Sequence, residues 1–71
     1  MSGMDFREMR IKRGLTQQEL GDAAGLTKQS ISNIETKRVR NLKYSTMQSL
    51  AFALGVSTDV VAQAIAETQA A

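Results

Sequence analysis

The stretch from Thr27 to Thr36 carries side chains suited to recognition chemistry. Lys28, Gln29, Ser32 and Asn33 offer an ammonium, two amides and a hydroxyl within a span of about two helical turns. A Gln or Asn amide can donate to and accept from an adenine edge at the same time, which few other side chains can do. If this stretch is helical, the 100° step puts Ile31, Ile34, Glu35 and Arg38 in one sector. Gln29, Asn33 and Thr36 then lie opposite, flanked by Ser32 and Lys37. Catalytic chemistry has far less to work with. The chain has no His and no Cys, so the commonest general base and the thiolate metal ligands are missing. No nucleophile–base pair, metal cluster or Gly-rich phosphate loop can be read. The expectation is a protein that is not an enzyme and needs neither cofactor nor metal.

The elements that must hold these residues can be read from caps and breakers, and they give an all-α chain. Five helices are expected, over about 5–13, 17–24, 28–36, 46–54 and 58–68, in a single domain spanning 1–71. The absence of proline agrees with this. Asp5 can cap the first helix and Gly14 stop it. Thr16-Gln17-Gln18-Glu19 reads as a capping box opening the second, and Gly25 ends it. Thr27 is a good N-cap for the third. Lys37–Lys43 is polar and basic and reads as a loop. Ser45-Thr46-Met47-Gln48 reads as a further capping box before the fourth, which Gly55 closes, and Ser57 opens the fifth. Between helices two and three stands only Gly25-Leu26-Thr27. A short turn with glycine at its head lets two helices cross steeply, the geometry in which the second helix can enter a DNA major groove.

The strings Leu15-Thr16-Gln17-Gln18-Glu19-Leu20, Ala24-Gly25-Leu26-Thr27-Lys28-Gln29-Ser30-Ile31-Ser32-Asn33-Ile34-Glu35 and Leu50-Ala51-Phe52-Ala53-Leu54-Gly55-Val56 resemble the Cro and phage-repressor (XRE-type) helix-turn-helix DNA-binding family. The resemblance covers about residues 5–61. It implies a compact five-helix bundle of the phage-repressor DNA-binding domain type, with helices two and three as the helix-turn-helix. Lys28, Gln29, Ser32 and Asn33 are then the expected base readers, since the N-terminal end of the second helix meets base edges in this motif. Gln17, at the N-terminus of helix two, is expected at a phosphate, where free N–H groups and the helix dipole favour an anion; the alternative leaves it solvated. The resemblance also implies that the loop after helix three follows the sugar–phosphate backbone, with Lys37, Arg38, Arg40, Asn41, Lys43 and Tyr44. Thr27, Ser30 and Thr36 are assigned to the same backbone contacts. Tyr44 suits a phosphate or a core position beside helix four equally, and Arg38 has room to point partly inward. Arg10 and Glu35 occupy positions that the family often joins in a buried ion pair; the alternative is two independent surface charges. Gly21 departs from the alanine usual there.

Charge and surplus apolar surface bear on partners. The net charge of the 71 residues is only +2, but all nine bases lie in residues 1–43, whereas 44–71 hold two acids and no base. A basic part suits a polyanion and a weakly acidic part something else. In the fifth helix Val56 and Val60 are expected to close the core over Leu50 and Leu54. Val61, Ala64, Ile65 and Thr68 then form a surplus stripe, expected to be the dimer interface; the alternative is a thin core that consumes both stripes. A lone helix-turn-helix covers about half an operator, so double-stranded DNA and a second copy of the chain are the expected partners. No small-molecule ligand is evident. The start, Met1-Ser2-Gly3-Met4-Asp5, lacks the pattern of a signal peptide and no apolar run spans a membrane, so the expected compartment is cytoplasmic. The functional expectation is a transcriptional regulator, most simply a dimeric repressor on a palindromic operator. The competing reading is a protein-interaction or antitoxin-type partner-binding module, for which acidic or apolar residues would more often replace Gln29, Ser32 and Asn33.

Overall fold

Most of the helices begin where a side chain can satisfy otherwise orphaned backbone N–H groups. The computed structural model describes residues 4–36 and 41–70. Five helices run in the order α1 Phe6–Lys12, α2 Gln17–Ala24, α3 Lys28–Glu35, α4 Tyr44–Leu54 and α5 Thr58–Ala70, and no strand occurs among the described residues. Asp5 caps α1 through a full capping box: Glu8 N–H donates to the Asp5 carboxylate and Asp5 N–H to that of Glu8. Thr16 and Glu19 do the same for α2. Thr27 accepts from Ser30 N–H at the head of α3, and Ser57 from Val60 N–H at the head of α5. Gly25 and Gly55 end α2 and α4 in the left-handed region, which costs glycine little.

The start of α4 differs from expectation. The helix opens at Tyr44, with Lys43 as an N-cap that makes no side-chain bond, so the Ser45–Gln48 capping box does not form. Ser45 lies inside the helix, where its carbonyl accepts from the Ser49 hydroxyl. Leu42 and Met47, both packed against the core, stand at the spacing of a hydrophobic staple. Burial of this apolar pair sets the entry point in place of the hydroxyl.

One cluster forms the core, and Phe6, Leu20, Ile31, Leu50, Leu54 and Val61 are its fully buried large side chains. α5 enters it with a different face from the expected one. Val61, Ala64 and Thr68 are buried within the chain itself and Ile65 packs half-buried against them, while Val60 is 43 % exposed. The dimer assignment of Val61, Ala64, Ile65 and Thr68 is therefore corrected: α5 lies across α1, and that stripe closes the core. The Thr68 hydroxyl accepts from Phe6 N–H at 2.9 Å and donates to the Ala64 carbonyl at 2.9 Å. A residue near the chain's end thus satisfies a free N–H of the first helix. No single helix among the described residues is long and apolar enough to cross a membrane.

Candidate nucleic-acid interface

The turn between α2 and α3 depends on how closely two backbones approach. Leu26 N–H donates to the Gly21 carbonyl at 2.7 Å, closing α2 directly onto the turn. A Cβ on Gly21 would stand 2.8 Å from the Leu26 carbonyl oxygen and 3.2 Å from the Thr27 carbonyl carbon. Glycine at this position is thus explained by steric contact. Leu26 packs half-buried against the core and fills the angle between the helices. Ile31 and Ile34 bury the inner face of α3, so its other side is turned outward.

On that outer side Lys28 and Gln29 are exposed, and Ser32 and Asn33 are half-buried. Gln29 Nε2 donates to Asn33 Oδ1 at 2.9 Å. The two amides, one turn apart, are therefore coupled, and each retains further hydrogen-bonding capacity. Asn33 also borders a small hollow with Leu26, Ser30 and Leu42. Lys28 stands apart from this pair. It lines a hollow shared with Thr16, Gln17 and Gln18 at the N-terminus of α2, where the helix dipole is positive.

Beneath this surface lies an ion pair. Arg10 Nε donates to Glu35 Oε2 at 2.6 Å and Arg10 Nη2 to Glu35 Oε1 at 3.2 Å; the two side chains are 10 % and 3 % exposed. Arg10 Nη1 donates to the Leu15 carbonyl at 2.8 Å. Gln17 Nε2 completes the network by donating to Glu35 Oε1 at 3.1 Å. Gln17 is half-buried, so its amide joins α2 to α3 instead of standing free in solvent. One guanidinium and one carboxylate thus tie α1, the α1–α2 turn, the head of α2 and the end of α3 together.

Thr27 Oγ1 donates to Ser30 Oγ at 3.0 Å and accepts from Ser30 N–H at 3.0 Å. Thr36 donates to the Ser32 carbonyl at 2.9 Å. Asn41, Lys43 and Tyr44 are exposed, Tyr44 by 63 %, so of its two expected positions the core is ruled out. Lys37, Arg38 and Arg40 lie outside the described residues. Sequence reasoning missed the Gln17–Glu35 and Gln29–Asn33 bonds. The second had a signal, an i, i+4 pair of amides on a helix; the first, between residues on different helices, had none.

A helix-turn-helix family model matches residues 6–61. The chain belongs to the XRE-type helix-turn-helix family. An uncharacterised HTH-type transcriptional regulator, y4dJ of Sinorhizobium fredii (strain NBRC 101917 / NGR234), is 42% identical over 55 residues, which cover 78% of this chain and 70% of that protein.

Proposed function

We propose that this helix-turn-helix chain is a sequence-specific regulator that reads double-stranded DNA with α3 in the major groove. Family membership supports DNA-binding transcription regulation as the general activity. The observation that carries the finer reading is the outward-facing Gln29–Asn33 amide pair, held on a helix whose opposite face is locked into the core. Amides in the first turns of such a helix meet base edges, and each bidentate contact is worth about 1–3 kcal/mol of discrimination. Lys28 and the head of α2 would add positive potential for a phosphate, and the exposed Asn41, Lys43 and Tyr44 would supply backbone contacts with salt-dependent affinity. Two copies on half-sites about 34 Å apart would double the contact, which is the case for a palindromic operator. A bound dimer would occlude a promoter, hence repression.

Selection of bound sequences from a random duplex library tests this reading. A symmetric consensus is expected, which Gln29→Ala and Asn33→Ala blur at particular base pairs. Because the two amides are hydrogen-bonded, their effects should be non-additive. Salt-independent binding, or no sequence preference, would refute the reading and favour a protein partner.

A further inference from the structure

One recess shares no residue with the nucleic-acid interface. A hollow of about 550 Å³ lies between α1 and α5, walled by Met4, Met9, Val56, Val60 and Ala64, with Gln63 as a neutral polar member. Met9 and Ala64 are buried, whereas Met4 and Val60 are 37 % and 43 % exposed and keep the hollow open to solvent. Recesses that hold small molecules run about 300–1,000 Å³ and are mainly apolar, with a few placed polar groups. Two of these walls are methionines, whose side chains adapt to the shape of an occupant.

The charge in this lining has one sign. Lys12 and Arg13 border the hollow and are exposed, and no acid is among its lining residues. Arg13 Nη1 stands 3.8 Å from where a Cβ on Gly55 would be, which sets the guanidinium at the α4–α5 turn, next to Val56 in the chain. Glu8, one turn before Lys12, is engaged at the α1 N-cap. Among the described residues neither Lys12 nor Arg13 forms an ion pair. Two cations thus stand open to an anion at the edge of an apolar cleft.

We propose that this hollow binds an anionic amphiphile, an aliphatic chain of medium length ending in a carboxylate. The chain lies along Met4, Met9, Val56 and Val60 and removes their open surface from water. The carboxylate takes the fork of Arg13, with Lys12 as a second point charge. Neither half of such a molecule suffices alone. A short carboxylate buries nothing, and ion pairs in open solvent are worth little. A neutral chain leaves both cations unused. A single chain from solution fits a recess between two helices, whereas a bilayer takes up an apolar face that protrudes. None of these residues belongs to α3 or to the expected DNA contacts, so the site stands or falls apart from the operator reading.

Titration of the full chain with octanoate, below its micelle-forming concentration and followed by methyl NMR, tests the site. The methyl resonances of Met4, Val56 and Val60 are expected to shift together and to saturate as a single site. Acetate should leave them unmoved, and octanol should bind at least about tenfold more weakly than octanoate. Lys12→Gln with Arg13→Gln should weaken octanoate by at least about tenfold and leave octanol unchanged. Val60→Asp should weaken both ligands. Circular dichroism at 222 nm should match the parent, since Lys12, Arg13 and Val60 are exposed. The comparison of acetate, octanol and octanoate needs no variant. No shift with octanoate, shifts that do not saturate, octanol binding as tightly as octanoate, or an octanoate affinity indifferent to either variant overturns the inference. So does a chain that ignores octanoate yet co-sediments with phosphatidylglycerol vesicles, since the occupant would then be a bilayer. Movement of the same resonances only on addition of an acidic amphipathic peptide overturns it too, in favour of a protein partner.

Discussion

Replacing Glu35 by Leu should bring the domain close to unfolding, and replacing Arg10 by Met as well should restore much of what was lost. Glu35 accepts three hydrogen bonds, two from Arg10 and one from Gln17. Without it, Arg10 keeps only the Leu15 carbonyl, with its guanidinium 10 % exposed. Stranding one charge of a buried pair costs about 3–5 kcal/mol. At roughly 0.05–0.15 kcal/mol per residue, a 71-residue chain has about 4–11 kcal/mol in all. The single variant thus loses about a quarter of its stability or more. Since 1 kcal/mol moves the midpoint of a domain this size by about 4–8 °C, a drop of about 12 °C or more is expected. Arg10→Met with Glu35→Leu removes both charges and leaves apolar groups of similar volume, which is often nearly neutral. The Leu15 carbonyl loses its donor but is only part-buried, so water can replace it. The double variant should recover at least half the loss. Urea denaturation followed at 222 nm on both singles and the double closes the cycle. A single-variant loss under about 1 kcal/mol, or a double that loses the sum of the singles, would refute the view that the pair acts as one buried unit.

Three other substitutions probe the remaining structure. Gly21→Ala gains up to about 1 kcal/mol of helix propensity, but its Cβ meets backbone at 2.8 Å, and overpacking of that kind costs about 1–3 kcal/mol; a lowered melting midpoint is expected, and a raised one would show that the turn yields freely. Thr16→Ala removes the cap of α2 and should lower the urea-derived stability by about 1 kcal/mol; no change would mean that water serves that N–H equally well. Lys43→Glu leaves α4 intact, since Lys43 makes no side-chain cap bond, yet should weaken operator and random DNA alike and reduce the salt slope by about one. A loss confined to the operator would instead assign Lys43 to base reading.

Much of the fold could be read residue by residue. The Thr16–Glu19 box, the Thr27 cap and the glycines at 25 and 55 are answers to demands that arise within three or four positions, so short strings reveal them. The outward placement of Gln29 followed from the 100° step once Ile31 and Ile34 were taken as core. Asp5 and Glu8 carried the same box template as Thr16 and Glu19, so that reciprocal bond was open to reading as well. At Ser45 the template misled, because Leu42 and Met47 packing outweighed a hydroxyl cap.

Local composition therefore determines where most of these helices start and stop and which residues of α3 are turned outward, because backbone N–H groups and helical periodicity act over single turns. It does not decide between Val60 and Val61, neighbours of the same type, because that choice depends on the angle at which α5 crosses α1. Nor does it join Thr68 to Phe6, 62 positions away, or bring Gln17 to Glu35. Those contacts exist only once the helices have packed, since it is the packed core that carries distant polar groups to hydrogen-bonding distance.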